Sequence, residues 1–221
     1  MRVILFLGIL LLGQIAAAQD TAYYRQQVEY SDEFVFSEGF YLSFKDFRDN
    51  DPVPTESIVS KYDKNSESFL KDVLDEDAVS YTGLDKQTYK IPLDKVWGYS
   101  HNGNIFVNVQ NTFNRVPIIG RISHFVATVT TYVTTPNMGN PYYGYGQNGM
   151  MRVPTTELKQ LIIDYETGKI QDFTVETLEN ILLRDRKLLA EFIEIPNRKK
   201  KDMLFIFMRK YNEAHPVSFP E

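Results

Sequence analysis

The chain has 221 residues, 43% of them hydrophobic, and a formal charge of −5 at pH 7. It contains no Cys, which excludes thiolate chemistry, Cys-based zinc sites and disulfide stapling. The acidic balance argues against nucleic acid or any other polyanion as the main partner.

Residues 1–18 read as an export signal, with Arg2 as the positive region, an apolar core over 3–15, and Ala16, Ala17 and Ala18 as the small residues a signal peptidase needs. The apolar run falls short of the about 20 residues that span a bilayer, and Gln14 interrupts it. Cleavage there starts the mature chain at Gln19, leaves no transmembrane segment, and places the protein in the periplasm or outside the cell. Residues 19–221 are expected to form a single α+β domain that folds on its core alone, strand-rich over 22–173 and helical over 174–216.

In chain order, Ser43 and Asp46 mark a helix start over 43–50, with Asp where a capping box usually carries Glu or Gln. Pro52 and Pro54 stop it, and Phe40, Leu42, Phe44 and Phe47 supply a buried face. Residues 69–77 fit a helix that turns Leu70, Val73 and Leu74 inward, and Asp72 and Glu76 outward.

Short β-branched and aromatic runs dominate residues 55–135. Asn102 and Gly103 divide two such runs, 96–100 and 105–109, and predict a hairpin with a tight turn. Residues 121–134 alternate as one long strand with apolar residues on both faces, which predicts a central strand. A loop rich in Pro, Gly, Asn and Tyr is expected over 135–154, then strands over 158–164 and 170–173 around a turn at 166–169.

Thr174 caps a helix bearing Leu178, Ile181 and Leu182, and Asp185 caps a second bearing Leu188, Leu189, Phe192 and Ile193. A third carries Met203, Leu204, Phe207, Met208 and Tyr211, and His215 and Pro216 end it. The expected fold class is therefore α+β: an antiparallel, hairpin-rich sheet, with a curled or barrel-like form open to it, followed by about three helices.

The motifs carry little chemistry. Gly144, Gly146 and Gly149 match the spacing of a dinucleotide-binding loop, but they lack the preceding strand and following helix that such a loop requires, so no cofactor is expected. His101, His124 and His215 lack metal-ligand spacing, and neither Ser100–His101 nor Ser123–His124 can meet on a strand, where neighbours point to opposite faces. Asp46, Asp49 and Asp51, and Asp72, Asp75, Glu76 and Asp77, lack the ligand order of a calcium loop and read as solvated carboxylates. Arg198, Lys199, Lys200 and Lys201 read as a solvated helix start, and Trp97 as a core residue beside the hairpin. Tyr142, Tyr143 and Tyr145 fit either an aromatic grip for a sugar, peptide or protein surface, or a cover for the sheet edge.

Several residues resemble a set of small exported proteins of Bacteroidota with no established function. They are Gly39, Phe40, Tyr41, Ser43, Phe44, Phe47, Asn50 and Pro52; Trp97, Gly98, Tyr99 and Gly120; Asp164, Gly168, Phe173, Leu178 and Leu183; and Tyr211, Asn212 and Pro216. The resemblance implies a Gram-negative envelope or external location and carries over no site. Together these readings point to an exported, non-catalytic binding or scaffold protein whose partner is an envelope protein or glycan, engaged through Tyr142, Tyr143 and Tyr145. The alternatives are a hydrolase using paired carboxylates on glycan or peptide, and an apolar-ligand carrier.

Overall fold

The computed structural model describes residues 25–136 and 150–221. Ser43 caps helix α1 (Phe44–Arg48) as anticipated: its hydroxyl accepts from the Asp46 N–H while the Asp46 carboxylate accepts from the Ser43 N–H at 2.8 Å. Asp closes the box as Glu would, because the Ser43 N–H it reaches lies within one turn.

Flanking this helix are β1 (Gln27–Glu29), β2 (Gly39–Tyr41) and β3 (Val53–Pro54), followed by α2 (Phe69–Leu74) and the hairpin of β4 (Ala78–Thr82) and β5 (Thr88–Pro92). Next come β6 (Gly98–His101), β7 (Asn104–Val109) and β8 (Thr112–Arg115), which with β2 and β3 make a five-stranded sheet of order β3-β2-β6-β7-β8. The β6–β7 turn is the one expected, with Asn102 and Gly103 at φ +50° and +71°. Gln110 and Asn111 make the β7–β8 turn in the same left-handed way, at φ +53° and +63°, with no glycine.

β9 (Ile122–Pro136), β10 (Met150–Asp164) and β11 (Ile170–Asp172) form a second sheet of order β11-β10-β9. The helices α3 (Val175–Leu182), α4 (Arg186–Ile193) and α5 (Asn197–Ala214) follow, with Thr174 and Asp185 capping α3 and α4, and β12 (Ser218–Pro220) returns to pair with β1. All strand pairs are antiparallel, and the ladders among the described residues stay open rather than closing into a barrel.

Strand alternation sorts the core into three clusters. Phe40 on β2 faces α2 and the β4–β5 hairpin, where it joins Ile58, Leu70, Val73 and Val79. Its neighbour Tyr41 faces the other way, into a cluster with Phe47, Ile105, Val107, Phe125 and Phe219 between the two larger sheets. On β9 and β10 the same alternation sends Phe125, Leu161 and Ile163 into that central cluster, and Ile122 and Ile162 into a third cluster with Leu178, Phe192, Leu204 and Phe207 of the helices. Period-2 alternation thus makes one strand the wall of two cores.

Three expectations are corrected. β9 lies at a sheet edge rather than in the centre. Apolar residues on both faces report layers above and below, which β9 has near Ile122 and Phe125, and not partners on both sides. The loop expected over 135–154 is shorter, because residues 135–136 pair with 150–151 and β10 begins at Met150. Lys200, expected on a solvated face, is buried against Glu179 and over the Phe192 ring, although Arg198, Lys199 and Lys201 are exposed.

Candidate functional site

β9 and β10 pair without a bulge over all fifteen of their residues, but the cores cover only one end. Leu161 is 4% exposed and Leu158, three residues earlier on the same strand, is 75% exposed. From Thr130 onward the ribbon leaves both cores and projects about 20 Å at the usual strand rise.

The two edges of this arm are blunted. Thr130 gives its N–H to the Gln110 side-chain oxygen at 2.8 Å and takes the Gln110 amide on its carbonyl at 3.1 Å, so Gln110 stands in for one residue of a missing strand. Further down, the His124 N–H reaches the Ile118 carbonyl at 2.9 Å and the Phe173 N–H reaches the Gln160 carbonyl at 2.9 Å. Even-numbered residues therefore turn their main-chain groups out of the ladder. Pro136 and Pro154 both fall on even positions, so the N–H each lacks is one the ladder never uses, and an incoming strand meets no donor there.

With its edges blunted at Thr130, Pro136 and Pro154, the arm also offers its faces. Tyr132 and Met150 are exposed on one, in line with Leu158 at the root of the arm opposite Thr128, and Val133 and Met151 on the other. Between Thr130 and Pro136 and between Met150 and Thr156, Arg152 is the only charged residue. A nearly uncharged apolar surface on a projecting ribbon is the mark of an interaction site. Tyr142, Tyr143 and Tyr145, and the glycines Gly144, Gly146 and Gly149, lie outside the described residues, in the segment joining the two strands.

The arm's base is fixed by polar contacts. Asp164, which ends β10, takes both Arg184 guanidinium nitrogens, at 2.7 and 2.8 Å, and the Thr167 hydroxyl at 2.8 Å. Burial pushes its carboxyl up, but Arg184 and Thr167 together hold it below the usual range. His124, 6% exposed, sits between the Phe173 and Phe205 rings with its Nε2 enclosed and unpartnered, and burial lowers its pKa. His215 meets Asp185 at 2.9 Å, and His101 lies 3.6 Å from Glu38.

Of the carboxylates expected on the surface, Asp46, Asp49, Asp51, Asp72 and Glu76 are tied to neighbours. A cleft of about 550 Å³ brings Glu38, Asp46 and Asp51 to one wall, but Glu38 accepts from the Asn102 N–H at 2.7 Å, Asp46 closes the α1 cap, and Asp51 pairs with Arg25 at 3.1 Å. Asp72 accepts from Ser68, and Lys61 at 3.0 Å holds the Glu76 carboxyl below its ordinary range. Among the described residues, no three His, Asp or Glu converge as a metal site, and no helix is long and apolar enough to cross a membrane.

Reasoning from the sequence missed the arm because Pro154 and the Tyr- and Gly-rich segment read as loop. The signal was present in the run 128–135, every residue of which is β-branched or aromatic.

The chain belongs to DUF6563, a family of unknown function, which matches it over residues 39–215 and so spans the arm, the helices and every sheet but the β1–β12 pair. No curated protein and no solved structure matches the chain.

Proposed function

We propose that this DUF6563 protein is an exported, non-catalytic binding or scaffold protein of a Gram-negative envelope, and that the β9–β10 arm is its partner-binding element. The observation that carries this reading is the ladder that outruns its cores, with Leu158 exposed at its root and Tyr132, Val133, Met150 and Met151 exposed on a stretch in which Arg152 is the only charge. Exposed ordered apolar surface costs solubility, so its retention fits a partner that covers it. Tyr142, Tyr143 and Tyr145 extend the same element in sequence and are proposed to add aromatic contacts to an envelope protein or glycan. The leader-like pattern of residues 1–18 supports the export reading, and the engagement of Glu38, Asp46 and Asp51 by neighbouring groups supports the non-catalytic one.

The test is capture from envelope extracts by the full mature chain, compared with two variants: Tyr132→Ser with Leu158→Ser, and deletion of residues 137–148. The expected outcome is one specific partner, lost from both variants while their unfolding matches wild type. Capture of every specific partner by both variants overturns the role of the arm. An intact mass from the native host that still includes Met1 overturns export.

A further inference from the structure

We infer that the cleft over Trp97, at the foot of the arm, is a binding site for a neutral saccharide. Its volume of about 390 Å³ falls in the range of small-ligand sites, and Leu42, Asp94, Lys95, Trp97, Asn108 and Asn111 line it.

Trp97 is locked in place. Its main-chain N–H donates to the Tyr41 carbonyl at 2.9 Å, and its main-chain carbonyl accepts from the Asn108 N–H at 2.8 Å. The indole stacks on Phe47 at 4.9 Å, while Phe44 and Tyr41 meet it near edge-on. A ring held this way loses little freedom when a ligand arrives.

The indole is nevertheless not sealed in. A buried Trp usually pairs its N–H; here, among the described residues, no acceptor takes it, and it is not one of the enclosed unpartnered atoms. One ring face therefore belongs to the core, the indole N–H is left unpaired and not enclosed, and the half-buried Trp97 lines the cleft.

The surrounding groups are of a matching kind. The Asp94 carboxylate is 55% exposed, with the Lys95 ammonium 3.6 Å away, so acceptor and donor stand side by side and their charges cancel. Asn111 presents an exposed amide on the tight β7–β8 turn. A pyranose has an apolar C–H face for an aromatic ring, and hydroxyls that both donate and accept. A cleft with one aromatic ring, one amide, and a carboxylate and ammonium that neutralise each other fits that ligand better than an anion or a fatty chain.

Trp97 is the only Trp in the chain and so reports on its own cleft. Cellotetraose, chitotetraose and maltotetraose are titrated into the full mature chain to about 10 mM, a range in which millimolar affinity registers. With at least one of them, Trp97 emission is expected to change saturably, and saturation-transfer NMR to mark the sugar ring protons. Asp94→Asn and Asn111→Gly, both on exposed groups, are each expected to weaken binding by about threefold, and Trp97→Phe, read by NMR, by about tenfold. Deletion of residues 137–148 leaves binding unchanged, which separates this site from the arm. If none of the three sugars gives a saturable response, or if Asp94→Asn, Asn111→Gly and every folded Trp97 variant bind as wild type does, the assignment is overturned.

Discussion

The two ends of the β9–β10 ladder share one hydrogen-bonded register and live in different surroundings. At the base, Phe125 and Leu161 face one core while Ile122 and Ile162 face another. Beyond Thr130 the same ladder runs on with water on both faces. A two-stranded ribbon is marginal in water by itself, so the outer half is held in shape by the inner half, which the cores clamp. The clamp supplies stability, and the free end supplies surface. This division lets one continuous element be both scaffold and binding arm.

Leu161→Ala and Leu158→Ala break the comparison most sharply, because the two residues differ in little but burial. The first is expected to cost roughly 2–5 kcal/mol and the second to stay within about 0.5 kcal/mol, read as denaturant midpoints at constant m. Equal losses at the two sites would mean that the outer half is covered in solution and that the contrast is false.

A smaller effect comes from His124 at the base. Its folded pKa lies below the ordinary 6.5 because burial disfavours the charged ring. As pH falls through the unfolded value the unfolded chain takes up the proton first, so stability drops between that value and the folded one and then levels off. His124→Leu is expected to lose less stability than wild type between about pH 7.5 and about pH 5. A variant with the same pH slope as wild type would show that the ring finds a partner for its charge.

The smallest effect lies where the two halves meet. Gln110→Ala removes both side-chain bonds to the Thr130 main chain. The expected cost is about 1 kcal/mol or less, because water can take over the freed groups. The clearer readout is amide exchange, which is expected to speed up at Thr130 and leave Phe125 unchanged. Unaltered exchange at Thr130 would remove Gln110 as a stay of the arm.

Local elements were legible because their signals are local. Ser43 with Asp46, Asn102 with Gly103, Thr174 and Asp185 each act within one turn of the chain, and the structure places a cap or turn at each. The arm was only half legible: residues 128–135 are all β-branched or aromatic, as a strand favours, but Pro154 reads as a breaker until its position on the unpaired side of β10 is known. The Trp97 cleft could not be read at all, since Asp94, Trp97 and Asn111 are brought together by strand pairing and by α1 packing under the indole.

By itself, the sequence determined the α+β class, the caps, the tight turns and the alternation of each strand, because backbone geometry and hydrophobic period act between residues close along the chain. Tertiary structure alone decided which strand became an edge, that Lys200 is buried against Glu179, and where the β9–β10 ladder leaves its cores. Those outcomes depend on which distant surfaces meet, and burial is a property of the meeting rather than of the residue.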